Sequence, residues 1–319
     1  MLPRPSQTPR PHLGAVGQAL FVTFLWSTSW VLIKIGLDDL DLQPLGFAGL
    51  RYAVAAAVLL PFGIRALRAR SGEPIDASLM VRVLVYGLLF VALAQGAQFA
   101  ALAVLPATAV NLVLSTIPVA VALIAIGRRS EAPSPGQAVG VLLLIVGAVL
   151  YFGPLDIGGA GLLGLGAAAL CVAASAVSSH LGRDLARDAM ARLGGAIGLT
   201  AISMAVGAVV LLTVGLVVEG VPALDLRGWA IIAWLGVVNT AFAFTLWNHT
   251  LRVLTAVESS VINNTMLIQI AILAVIFLGE RLGPLQIAGL ACAALGALTV
   301  QLVPALRRRT ATRILEANR

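Results

Sequence analysis

Trp26 and Trp30 lie four residues apart with Ser27 and Ser29 between them, a spacing that sets both indoles on one face of a helix with hydroxyls beside them. Gln95 with Gln98, and Asn111 with Ser115, likewise share faces at helical spacing. Aromatic faces and neutral hydrogen-bonding groups can hold a small organic solute, but they lack the nucleophiles, bases and metal ligands that catalysis requires. The chain carries no Gly-rich phosphate loop, no paired histidines at metal-ligand spacing, and no serine and histidine set at membrane depth. Cys171 and Cys292 stand alone in apolar surroundings and read as packing residues. The chemistry is therefore recognition rather than reaction, with no metal or cofactor expected and an intramembrane enzyme as the weaker class.

The elements that hold these residues must be membrane helices. Hydrophobic residues make up 60% of the chain and charged residues 11%, with a mean hydropathy of +1.00; a soluble chain carries about 25% charged residues. Apolar runs of about 20 residues separated by short charged turns mark a polytopic all-α membrane protein, whereas barrel strands would be short and alternating. Ten transmembrane helices are expected at about 15–37, 44–65, 80–102, 107–126, 135–154, 161–182, 193–218, 228–249, 256–278 and 284–303. Residues 1–14, rich in Pro and Arg, read as a disordered cytoplasmic tail, and 304–319 as a basic cytoplasmic tail. The first apolar stretch is too long for a signal-peptide core and reads as an uncleaved spanning helix.

Ten helices divide the loops into two sets, and 17 of the 21 basic residues fall on one side against 2 on the other, Arg227 and Arg281. The positive-inside rule then places both termini in the cytoplasm. The net charge of +7 thus records topology and calls for a lipid bilayer rather than nucleic acid as partner.

The chain is also duplicated. Gly87–Tyr151, shifted by 149 positions, lies without a gap over Gly236–Val300, and 16 of the 65 positions are identical, among them Glu131 with Glu280, Pro135 with Pro284, Gln137 with Gln286, Gly140 with Gly289 and Gly147 with Gly296. Five helices per half is odd, so the halves, 15–154 and 155–303, enter the membrane from opposite sides as inverted repeats joined near Asp156–Ala160. The repeat sets Phe244 over Gln95, Trp247 over Gln98, Ser260 over Asn111 and Asn264 over Ser115. A lone polar residue here reads as glue between helices. A related set, polar or aromatic in both halves, reads as one central cavity bordered by Trp26, Gln98, Asn111, Trp247 and Asn264.

Three features stand apart from that set. Pro118 within helix 4 reads as a gate or as a bare kink. Arg51, seven residues into helix 2, is about 10 Å deep at a rise of 1.5 Å per residue. It calls for a partner among Asp38, Asp39 and Asp41, the stronger reading, or for an anionic substrate group. No Asp or Glu occupies the middle third of any helix, and Glu258 sits within a turn of a cytoplasmic end, so transport without stoichiometric proton antiport is expected.

FLWSTSWVLIKIGL in helix 1, FAGLRY in helix 2 and FLGERLGPLQIAGLACAALGALTVQL at the end resemble the EamA-type transporters of the drug/metabolite transporter superfamily over about residues 15–303. The resemblance implies the ten-helix inverted fold and export of amino acids or related metabolites across a bacterial inner membrane by alternating access. Efflux of another solute class and a channel-like pathway are the alternatives, and monomer and homodimer both remain open. Two departures stand out: GRRSEAPSPGQ replaces the family's Gly-Glu turn in the first half, and Leu267 replaces Pro118 in the second.

Overall fold

Six helices begin where the sequence supplies a first-turn device, because N–H groups in the first turn have no partner within the helix. Asp76 accepts from Leu79 N at 2.7 Å, Asp225 from Gly228 N at 2.7 Å, and Thr255 forms a capping box with Glu258. Proline, which has no N–H to leave unpaired, opens the helices at Pro44, Pro135 and Pro284.

The computed structural model describes residues 13–69, 74–127, 135–153 and 158–317. It contains ten helices long and apolar enough to cross a membrane: α1 (Leu13–Asp38), α2 (Pro44–Arg68), α3 (Ala77–Val104), α4 (Ala107–Ala125), α5 (Pro135–Phe152), α6 (Gly159–Ala186), α7 (Gly195–Val218), α8 (Leu226–Thr250), α9 (Glu258–Phe277) and α10 (Pro284–Leu302). Most of the expected N-terminal tail, Arg70, Arg128, Arg129, Glu131 and Asp156 lie outside the described residues. With ten spans, the chain enters at Leu13 and leaves at Leu302 on one face, called here the terminal face; the opposite is the far face.

Two helices outrun their expected ends. The helix of α6 continues to Arg192 and that of α10 to Ala317. Charged residues end a membrane span but not a helix, and the α6 extension is held by Leu185 packed among Leu79, Val83 and Leu199 and by Arg82–Asp188 at 2.7 Å.

The inverted repeat is visible in the packing. Homologous helices pair antiparallel across the molecule, α2 with α7 and α5 with α10. Gly140 faces Gly296, and Gly147 faces Gly289, so that glycines matched by the repeat meet crosswise. A Cβ added at Gly147 would stand 2.6 Å from the Gly289 carbonyl oxygen, and one at Gly296 would stand 2.6 Å from that of Gly140. Membrane helices associate through close backbone approach at small residues, which is why these glycines hold register between halves.

A second sign is local. α3 and α8 each contain a six-residue π-helical turn, Leu88–Leu93 and Val237–Phe242. The two are offset by 149 residues, the repeat interval, although Ala92 and Ala241 are the one identical pair within them. Widened turns recur in helices at functional sites. In α8 the Thr240 hydroxyl donates to the Leu235 carbonyl at 2.7 Å. By contrast α4 and α9 differ. α4 is interrupted at Ser115–Thr116, between Ala107–Leu114 and Ile117–Gly127, because Pro118 offers no N–H to the turn before it; the helix carrying Leu267 runs unbroken over Ala256–Phe277.

A cavity on one face and a seal on the other

A cavity of about 820 Å³ lies in the half of the bundle nearer the terminal face. Its wall draws on both repeats: Tyr86 and Phe90 from α3, Pro118 and Val121 from α4, Ser178 and Arg183 from the α6 helix, Trp247 from α8, Ser260 from α9 and Gln301 from α10. Arg183, hydrogen-bonded to His180 at 2.9 Å, is the one charged residue among the described lining residues.

Aromatic rings back this wall. Trp26 packs at 5.2 Å on Phe244 and 5.3 Å on Trp247, and Phe90 meets Phe244 edge-on at 6.2 Å. Trp26 Nε1 and Asn264 Nδ2 are buried donors with no hydrogen-bond partner among the described residues, while Asn264 Oδ1 accepts from Gln301 Nε2 at 3.5 Å. An unpaired buried donor costs about 1–3 kcal/mol, which a solute acceptor would recover.

The other residues singled out in the sequence are placed elsewhere. Phe244 lines a neighbouring recess of about 970 Å³ with Asn248 and His249. Ser27 is glue: its hydroxyl meets Thr23 O and Gln269 Oε1, each at 2.8 Å, tying α1 to α9. Trp30 is 6% exposed within the main hydrophobic core. Asn111 donates to Leu267 O at 3.4 Å and Ser115 to Leu112 O at 2.6 Å. Gln98 is buried and Gln95 half-buried on α3, away from the cavity lining.

Arg51 departs from expectation. Asp38 pairs with Lys34 at 3.0 Å and Asp39 with Arg227 at 3.5 Å, whereas Arg51 donates from Nε to the Thr240 hydroxyl at 3.0 Å and lies over the rings of Tyr52 and Phe99. The acidic turn after α1 is at the bilayer boundary, where Lys34, one turn away on α1, and the exposed Arg227 reach it at less cost than a side chain seven residues down α2. Next to Thr240, the fully buried Asn239 donates to Leu25 O, to Thr28 Oγ1 at 3.1 Å and to Ser29 Oγ at 2.9 Å, so the π turn of α8 holds both α1 and α2.

Two carboxylates tie the halves together at the far face, beside a recess of about 420 Å³ lined in part by Lys34, Asp38, Asp39 and Glu280. Glu219, just after α7, accepts from Leu45 N at 3.0 Å and Gly46 N at 2.7 Å at the start of α2. Glu280, between α9 and α10, accepts from Ala107 N at 2.6 Å and Thr108 Oγ1 at 2.5 Å at the start of α4, and Thr108 is in turn bonded to the Tyr151 hydroxyl. Anionic side chains are favoured at helix N-termini by the orphan N–H groups and the helix dipole. Each of these links therefore fastens the second half to the first across the far face. Reading the sequence flagged Glu280 as a repeat identity without a role, and Tyr86, Phe90, Ser178 and Gln301 not at all, because they sit outside the matched polar positions.

Comparison with known proteins agrees with this architecture. The EamA-like transporter family model matches residues 13–153 and 160–302, one copy per half. The chain is 26% identical over 245 residues, 75% of its length and 80% of the relative's, to the uncharacterized transporter YoaV of Bacillus subtilis (strain 168). A protein of known crystal structure shares the fold with a TM-score of 0.63 and 20% identity over 91% of this chain and 98% of its own.

Proposed function

The chain belongs to the EamA-like transporter family, and from that premise we propose that it is a secondary carrier that exports a small organic solute, an amino acid or related metabolite, across the bacterial inner membrane by alternating access. The observation that carries this reading is one-sidedness: an aromatic and hydrogen-bonding cavity in the terminal half, and carboxylate-fastened helix starts across the far face. The arginine bias puts the terminal face in the cytoplasm, so the state described is open inward and closed outward. Solute enters beside Trp247 and Ser260, and rocking of one half against the other closes the inner wall, uncovers the buried donors of Trp26 and Asn264 to its acceptors and parts the Glu219 and Glu280 links. With no acidic group on the described cavity wall, the cycle runs down the solute gradient or by solute exchange, without stoichiometric proton antiport.

Counterflow in proteoliposomes tests it. Vesicles preloaded with an unlabelled solute should take up the labelled form transiently and saturably, from a panel of amino acids and metabolites. Linear, non-saturating flux would make the protein a channel, and uphill accumulation driven by an imposed pH gradient at clamped potential would overturn the uncoupled cycle.

A further inference from the structure

Arg51 is a buried cation with no carboxylate partner among the described residues. It is 5% exposed, and an arginine does not deprotonate in a protein, so its charge persists in a setting where charges are costly. What compensates it is a neutral hydroxyl, Thr240 at 3.0 Å, and the faces of Tyr52 and Phe99, with their ring centres 5.3 Å and 5.9 Å from the guanidinium carbon. Ring faces offset a desolvated cation by about 2 kcal/mol, well short of a counter-ion. The carboxylates on the same half of the bundle are engaged elsewhere: Asp38 with Lys34, Asp39 with Arg227, Asp225 with Gly228 N, Glu219 with α2 and Glu280 with α4, while Asp41 is exposed in the turn between α1 and α2.

We propose that Arg51 receives the carboxylate of the transported solute in the far half of the bundle, a proposal that rests on the transport reading above. The site is built at the π turn of α8. α2 touches α8 immediately before the π turn, where a Cβ on Gly236 would stand 2.9 Å from the Arg51 carbonyl oxygen, and the bond to Arg51 Nε comes from Thr240 inside that turn. Beside it Asn239 Oδ1 is buried with no partner among the described residues, an acceptor that suits a solute N–H rather than the carboxylate, and the cluster is shielded in the inward-open state. When α8 shifts and the far face parts, the guanidinium exchanges a neutral hydroxyl for a charged oxygen. A single fixed charge matches a monoanion; the nearest other cation on α1, Lys34, is bonded to Asp38 and to the Leu102 carbonyl. A solute amine needs no acid here, and none is supplied.

The test uses purified full-length wild-type, Arg51→Gln and Arg51→Lys proteins. Each is titrated with two isosteric pairs, phenylacetate with phenylacetamide and hexanoate with hexanamide, in chloride and in gluconate buffers, following intrinsic tryptophan fluorescence. The wild type should bind the acids at least about tenfold more tightly than the amides, equal to about 1.4 kcal/mol. Arg51→Lys should keep most of that ratio. Arg51→Gln should bring it near one while amide affinity stays the same. The proposal is overturned by a wild-type ratio near one, by an unchanged ratio in Arg51→Gln, or by loss of amide and acid binding together in a monodisperse Arg51→Lys. It is overturned also if chloride abolishes the acid preference, since an inorganic ion would then be the occupant. Counterflow of the wild type is measured separately, so failure of transport and failure of this site are distinct results.

Discussion

Substituting Gly147 by alanine probes the seam between the two halves. The added Cβ would stand 2.6 Å from the Gly289 carbonyl oxygen and 2.8 Å from Ala293 N, where ordinary contact begins at 3.4 Å. α5 and α10 must therefore separate by about 0.8 Å, the shortfall between those values. Overpacking of this kind costs about 1–3 kcal/mol, against which the better helix propensity of alanine returns up to about 1 kcal/mol. Gly166→Ala on α6 isolates the second effect, since its Cβ would meet nothing within 4 Å. The two variants should differ by about 1–3 kcal/mol, read as a gap of about 2–10 °C in apparent Tm by fluorescence-detected size exclusion after heating. Gly289→Ala presses on the same contact from the other helix, so the double variant should lose less than the sum of the two. Equal Tm for Gly147→Ala and Gly166→Ala, or strict additivity of Gly147→Ala with Gly289→Ala, would refute the argument that repeat-matched glycines set the approach of the halves.

Glu280→Ala removes the acceptor for Ala107 N and the Thr108 hydroxyl, so a cysteine placed at the buried Leu105 should label faster from the far face, with Glu280→Gln intermediate. Trp247→Ala should weaken solute binding about two- to tenfold, in line with one aromatic contact of about 0.5–1.5 kcal/mol, with a smaller loss of stability than Trp30→Ala, which in the core should lower it by about 3–5 kcal/mol. Asp76 is held below the usual carboxylate range by the Leu79 N–H and by Arg192. Its contribution to stability is thus present above the unfolded carboxylate pKa and lost as pH falls through the folded one, and Asp76→Asn should flatten the acid limb of a Tm-against-pH curve.

Helix number, the duplicated halves and their relative inversion were legible because they rest on composition, on charge placement and on the gapless register of Gly87–Tyr151 with Gly236–Val300. The two π turns were not, since they share the repeat interval but only one residue identity; a backbone device survives where side chains have diverged. The Pro118 and Leu267 difference was readable in advance as a difference in bending, and α4 breaks where α9 does not. Among the candidate residues, Trp247, Ser260 and Pro118 line the terminal-face cavity and Trp26 and Phe244 stand behind it, whereas Ser27 and Asn111 bond to neighbouring helices. Spacing identifies a shared face of one helix but not which neighbour covers that face. The same limit hid the partner of Arg51: sequence proximity pointed to Asp38, Asp39 and Asp41, and the bond is made 189 residues away.

One-sided access to the cavity is the central claim, and a single cysteine measures it. In a background with Cys171 and Cys292 replaced, Ser260→Cys is placed on the cavity wall and reconstituted in vesicles of known orientation, then exposed to a membrane-impermeant thiol reagent from each side in turn. The account predicts labelling from the terminal face, slowed by a transported solute, and little labelling from the far face while the Glu219 and Glu280 links hold. Equal labelling from both faces at once, unaffected by solute, would contradict it.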